Sequence, residues 1–276
     1  MGPEPEFARP GLAGWLLAVP RGIVLAAVVF GGLAVLLLLR LMERPLCGNA
    51  RPVTPYITQA VCRVALVILG LRLRIQGRPI SGRGAVVANH ASWLDIFALN
   101  AADRVYFVSK AEVSGWAGIG WLARATGTVF ITRKGTDAPL QQAVLEERLR
   151  FGHRLLFFPE GTSTDSRRIL PFKSTLFAAF FTEGIDKGMQ VQPATVIYHA
   201  PAGRDARFYG WWGEMGFAPH LLTVLSQRHR GKVDVILHPP LRADSFAGRK
   251  DLASACEAAV RKAHPEGAAC QGETAA

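Results

Sequence analysis

An α/β layered domain with an N-terminal, membrane-anchoring helical segment is the fold that the sequence predicts, and two features predict it. From Gly84 onward, short apolar runs of strand length alternate with stretches of helical length. Ahead of them, residues 22–39 (GIVLAAVVFGGLAVLLLL) contain no charged or polar side chain and are bounded by Arg21 and Arg40. At about 1.5 Å per residue, a helix over that run comes close to the ~30 Å hydrocarbon thickness of a bilayer. The run exceeds the usual apolar region of a signal peptide, and no small-x-small cleavage site follows in LLLRLMERPLCG. A retained anchor is therefore expected, spanning the bilayer or dipping into one leaflet. Arg40, Arg44 and Arg51 follow it while Arg9 and Arg21 precede it, a bias that places the body of the protein on the cytoplasmic face of the cell inner membrane.

The elements then follow in order. Thr54-Pro55 supplies an N-cap and a first-turn proline for a second, shorter helix over the apolar segment YITQAVCRVALVILG. Leu71, Leu73 and Ile75 alternate with Arg72, Arg74 and Gln76, the period of a half-buried strand. Buried strands are expected at 85–88, 106–108, 129–131, 155–158, 191–197 and 233–237, with helices at 92–101 and 139–150. Residues 1–70 thus form a membrane-associated helical segment, 71–264 the main domain and 265–276 a disordered tail.

Charge narrows the partners. The 276 residues carry 32 Lys+Arg against 21 Asp+Glu, a net +11, so the surface favours anions. Nucleic acid and phospholipid headgroups both qualify, and the apolar segments decide for membrane phospholipid and against nucleic acid. Cys47, Cys62, Cys256 and Cys270 have no zinc-like spacing and read as reduced and structural. His153, His199, His220, His229, His238 and His264 show no H-E-x-x-H pattern, so no metal site is expected. Phe208, Tyr209, Trp211 and Trp212, near Arg204 and Arg207, fit either a lipid interface or the core.

The strongest local signal is Asn89-His90-Ala91-Ser92-Trp93-Leu94-Asp95, where a buried strand exits toward a helix. On a continuous helix His90 and Asp95 would stand about 140° apart, so they can meet only if His90 precedes the helix and Asp95 lies in its first turn. Such a pair suits general-base catalysis, the carboxylate fixing the imidazole tautomer and stabilising its charged form. A capping box formed by Ser92 and Asp95 is the alternative reading of the same residues.

These residues resemble the N-H-x4-D signature of the glycerolipid acyltransferases, among them the 1-acyl-sn-glycerol-3-phosphate acyltransferases. Three further blocks follow in the same order: Gly127-Thr128-Val129-Phe130-Ile131-Thr132-Arg133, then Phe158-Pro159-Glu160-Gly161-Thr162-Ser163, then Val191-Gln192-Pro193-Ala194. The resemblance implies a mixed sheet flanked by helices, with His90 and Asp95 catalytic. It also implies substrate contacts from Arg133, Glu160, Gly161, Thr162 and Pro193; Arg133, a planar fork, and Lys110, read from its charge alone, are the candidate phosphate clamps among the substrate-binding residues. Thr132 stands where the family often has Asp or Asn, and Ser163-Thr164 where it often has Arg-Ser, departures that fall on the acceptor side.

The implied reaction moves a fatty acyl group from acyl-CoA or acyl-carrier protein, as co-substrate, to the sn-2 hydroxyl of 1-acyl-glycerol-3-phosphate. No cofactor is implied. Lyso-ornithine lipid is the alternative lysolipid acceptor, and a non-catalytic membrane adaptor the alternative from another class. G-x-S-x-G is absent, which favours direct transfer over an acyl-enzyme.

Overall fold

The computed structural model describes residues 9–132, 138–182 and 188–265. Two N-terminal helices, α1 (Leu12–Cys47) and α2 (Thr54–Ile68), lead into β1 (Leu71–Gln76) and β2 (Gly84–Ala88). Then come α3 (Asp95–Ala102), β3 (Tyr106–Lys110), α4 (Ile119–Thr126), β4 (Val129–Ile131), α5 (Ala138–Arg150) and β5 (Leu155–Phe157). The chain continues through β6 (Gln190–His199), α6 (Phe217–Leu225), β7 (Gly231–Leu237), β8 (Leu241–Arg242) and α7 (Arg249–Ala263).

The strands form one mixed sheet in the order β1-β7-β6-β2-β5-β3-β4, with β8 also on β6. Pairing is parallel except where β6 meets β7 and β8. All six runs read as buried strands are strands. Their strict alternation sorts the core onto two faces. Val86 and Ala88 join Leu94, Leu99, Val233 and Val235 on one side, while Ala85 and Val87 join Leu149, Leu155, Val191, Leu252 and Cys256 on the other. β1 keeps Leu71 buried with Arg72 and Arg74 outward, but Ile75 is 40% exposed because this edge strand outruns its cover.

Pro193 sits in the middle of the sheet, where a missing N–H is normally costly. Its carbonyl accepts from the His238 amide, and a strand residue's N and C=O point the same way. The absent donor therefore faces the junction where β8, paired to Val191, gives way to β7, paired from Ala194. The site expectation for Pro193 becomes, in this fold, a place in the sheet beside Val87.

Helix α1 is longer than its apolar run and is fastened to the body along one side. Ala18, Leu25, Leu36 and Glu43 are buried, whereas Ile23, Leu37, Leu38 and Leu41 are exposed. Gly32 admits α2 so closely that a Cβ there would lie 2.3 Å from Val61 Cγ2. Arg21 lies inside α1 and donates from Nη1 to the carbonyls of Leu225 (3.0 Å) and Gln227 (2.6 Å), closing the C-terminus of α6 with positive charge. Thr54 does not cap α2. Glu43 reaches across from α1, accepting from the amides of Val53 and Thr54 and from the Thr54 hydroxyl. A carboxylate at a helix N-terminus satisfies orphan donors and the dipole together.

Candidate active site

Parallel strands β2, β5, β3 and β4 all end on one side of the sheet, and the candidate residues follow those ends. His90 comes two residues after β2, Glu160 three after β5 and Lys110 closes β3. With strands about 4.8 Å apart, β2 and β3, separated by β5, end within about 10 Å of each other. Crevices at the carboxyl ends of strands are where α/β sheets hold ligands. Lys110 is half-buried. Arg133, expected as a phosphate clamp, lies outside the described residues.

His90 and Asp95 meet in the way the helix geometry requires. Residues 90–92 precede α3, Asp95 opens it, and His90 Nδ1 stands 2.7 Å from Asp95 Oδ2. The carboxylate is fully buried, and the same oxygen accepts from the amides of Ala91 (2.8 Å) and Ser92 (3.0 Å). The Ser92 amide bond is half of a capping box. The other half is missing, since Ser92 Oγ is buried without a partner. Asp95 thus folds the turn and orients the imidazole with one oxygen. With an acceptor-only carboxylate on Nδ1, the hydrogen sits on that nitrogen and Nε2 carries the free lone pair. The ring keeps 21% of its side-chain surface exposed, and Phe158 stacks on it at 4.0 Å between centroids.

The loop around His90 is held from every side. Asn89 extends the β2–β6 ladder with its side chain, donating to Val196 O and accepting from Val196 N. Thr164 donates its amide to His90 O at 2.9 Å, and Trp211 N–H donates to Ala91 O. Trp93 Nε1 donates to His220 Nδ1, which holds that buried imidazole neutral; burial also pushes its pKa down to about 4. Tyr198, on β6, donates its hydroxyl to Asp95 Oδ1 at 2.8 Å. An imidazole fixed this firmly loses little freedom on the way to reaction.

Glu160 differs from its expectation as a substrate contact. It is only 2% exposed, and its two oxygens accept from the backbone amides of His90 (2.6 Å) and Leu170 (2.7 Å). Burial, against those amides, pushes its pKa up to about 8. In this structure it clamps the His90 loop to the segment after the turn. Gly161 makes that turn at φ +75°, and exposed Thr162 follows it. Lys173, which the sequence reading passed over, lays its side chain over Gly161, its Nζ 3.1 Å from where a Cβ would stand.

Tyr209 and Trp212 are buried, and Phe208 and Trp211 pack against the core. The aromatic cluster is therefore core and not a lipid face. Trp15, Trp116 and Trp121 are the exposed tryptophans instead, at 45%, 43% and 65%.

Comparison with known proteins gives this geometry its family. Residues 72–197 match the family model described as Acyltransferase. A lyso-ornithine lipid O-acyltransferase of Rhodobacter capsulatus is 60% identical over 262 residues, covering 95% of each chain. A 1-acyl-sn-glycerol-3-phosphate acyltransferase of Neisseria gonorrhoeae is 36% identical over 61% of this chain and 66% of its own. The crystal structure of the 1-acyl-sn-glycerophosphate acyltransferase from Thermotoga maritima has the same fold, with a TM-score of 0.64 at 22% identity, covering 92% of this chain and 95% of that one. The chain thus belongs to the glycerolipid acyltransferase family marked by H-x4-D, and it is an acyltransferase acting on a lysolipid acceptor and an acyl donor.

Proposed function

We propose that the protein esterifies the free hydroxyl of lyso-ornithine lipid with a fatty acyl group from acyl-CoA or acyl-carrier protein. Likeness to the Rhodobacter capsulatus enzyme over nearly the whole of both chains carries this reading. Ser163, which is buried, stands where the family often has arginine, a departure on the acceptor side that is compatible with a headgroup other than glycerol phosphate. The motif resemblance alone favoured 1-acyl-glycerol-3-phosphate, which now becomes the second reading.

His90 Nε2 takes the proton from the acceptor hydroxyl as its oxygen attacks the thioester carbonyl. The C–S bond then breaks, and the proton on the imidazole passes to the leaving thiolate, returning His90 to its neutral form. Asp95 stabilises the imidazolium between those steps. Arg133, Lys110 and Thr162 are the proposed headgroup contacts, with Gly161 forming the turn that carries Thr162. The test is a panel of acceptors with purified protein. We expect kcat/KM on lyso-ornithine lipid to exceed that on 1-acyl-glycerol-3-phosphate by ~10-fold or more, about 1.4 kcal/mol of transition-state discrimination. The reverse order would overturn the acceptor assignment.

The membrane is the proposed workplace, at the cytoplasmic face of the inner membrane. Arg21 fastens α1 to the end of α6, and Glu43 fastens it to the start of α2, positions about 33 Å apart along α1 at 1.5 Å per residue. A helix standing upright across the bilayer would draw the body into the hydrocarbon, so α1 lies in one leaflet with its exposed face toward lipid. Introducing aspartate at both Ile23 and Leu38, which are 66% and 64% exposed, is expected to move the protein into the soluble fraction of a carbonate wash. Each carboxylate costs about 2.5 kcal/mol or more inside the bilayer. Thermal stability in detergent should stay near that of the parent. Unchanged membrane retention of the double variant would refute this placement.

A further inference from the structure

We propose that Tyr198 is a positioning residue for acyl transfer, completing a relay of His90, Asp95 and Tyr198. The proposal rests on His90 being the base, and it is independent of which lysolipid is the acceptor.

The two oxygens of Asp95 are served unequally. Oδ2 takes three donors, from His90 and the amides of Ala91 and Ser92. At Oδ1 the hydroxyl of Tyr198 donates at 2.8 Å. Asp95 is 0% and Tyr198 3% exposed, so water cannot replace a lost donor and an unsatisfied carboxylate oxygen there is costly. The hydroxyl is delivered by rigid parts. Tyr198 pairs with Val233 of β7 across the sheet, and its ring packs against Tyr209 at 5.7 Å between centroids. Tyr209 is in turn wedged over Gly231, where a Cβ would lie 2.2 Å from the Tyr209 hydroxyl.

The consequence reaches His90 through charge distribution. A donor on Oδ1 draws negative charge away from Oδ2, the atom that holds Nδ1. Removing it concentrates charge on Oδ2 and stabilises the imidazolium, so His90 becomes harder to keep neutral at a given pH. Two further ionisable groups couple to this cluster, Glu160, from the loop after β5, to Asp95, and Tyr209, from the loop before α6, to Tyr198; Arg261 of α7 in turn acts on Glu160. Burial and the neighbouring Asp95 raise the Tyr198 pKa well above its ordinary value, so it remains a donor.

The experiment is Tyr198→Phe, which keeps the ring and deletes the hydroxyl, assayed with whichever acceptor the parent protein turns over. The expected result is a fall in kcat of about 10-fold, because Asp95 loses the contact that fixes Oδ1 and lets the imidazole drift from its attacking position, a loss that outweighs the gain in basicity. KM for both substrates should stay within about twofold, while the acid limb of the kcat/KM profile moves to higher pH. A lower melting temperature with kcat and the acid limb unchanged would overturn the proposal, because it would make the hydroxyl a stability contact alone. Should the phenylalanine variant fail to fold, 2,3-difluorotyrosine at position 198 strengthens the donor within the same packing, and the acid limb must then move to lower pH. An unmoved limb in that protein also overturns it. Preference of the parent for 1-acyl-glycerol-3-phosphate would overturn the acceptor reading and leave this relay intact.

Discussion

Replacing His90 by alanine is expected to lower kcat for acyl transfer by about 10²–10⁴-fold, the contribution of a positioned general base, while leaving the protein folded. The ring is partly exposed and its main apolar contact is the stack on Phe158, so the stability loss should be about 1 kcal/mol. Asp95→Asn should approach the same loss by a different route. An asparagine oxygen can still accept from the amides of Ala91 and Ser92 and from His90, and its NH₂ can face the Tyr198 oxygen, so the turn survives. What disappears is the negative charge that stabilises the imidazolium. If Asp95 served only as a cap, this variant would keep most of its activity and lose at most about 1 kcal/mol. Thiol release and thermal melting, measured on both variants, separate the cases. Turnover by folded His90→Ala near that of the parent would eliminate the base mechanism.

What could be read in advance depended on how local the determining interactions were. The six buried strands were legible because β-branched and aromatic runs between helical lengths leave few alternatives. The His90–Asp95 pair was legible because five residues and one turn decide whether the side chains meet. Helix α7 was not read: its buried stripe is Leu252, Ala253, Cys256 and Val260, mostly small residues that give a weak apolar signal. Partners separated along the chain were equally hidden. Tyr198 reaches Asp95 across 103 positions, within a run whose pattern announces only a buried strand. Arg21 looked like the polar edge of an apolar segment because composition records charge but not direction, and its direction depends on where α6 ends. Glu160 was placed correctly at the strand end, yet the orientation of its carboxylate is set by two backbone amides that no motif specifies.

That orientation sets the largest effect expected away from the His90–Asp95 pair itself. Glu160→Gln turns one acceptor into an NH₂ group facing a backbone N–H, either that of His90 or that of Leu170. A buried amide left unpaired costs about 1–3 kcal/mol. Loosening His90 by a fraction of an ångström to an ångström costs on the order of 10²-fold in rate. We therefore expect kcat to fall about 10²-fold with the acceptor KM little changed. The opposite pattern, a raised acceptor KM at retained kcat, would return Glu160 to the role of substrate contact. The pH dependence of stability provides a second reading. In the folded protein the Glu160 pKa is raised from 4.5 to about 8, so between those values the native state holds more proton than the unfolded chain. Its contribution to stability must then fall as pH rises through that window. The glutamine variant has no proton to lose there, so the difference in unfolding free energy between the parent and Glu160→Gln should shrink from pH 5 toward pH 8. A difference that stays flat from pH 5 to pH 8 would mean that the two amide bonds outweigh burial and keep Glu160 ionised throughout, and would refute the raised pKa.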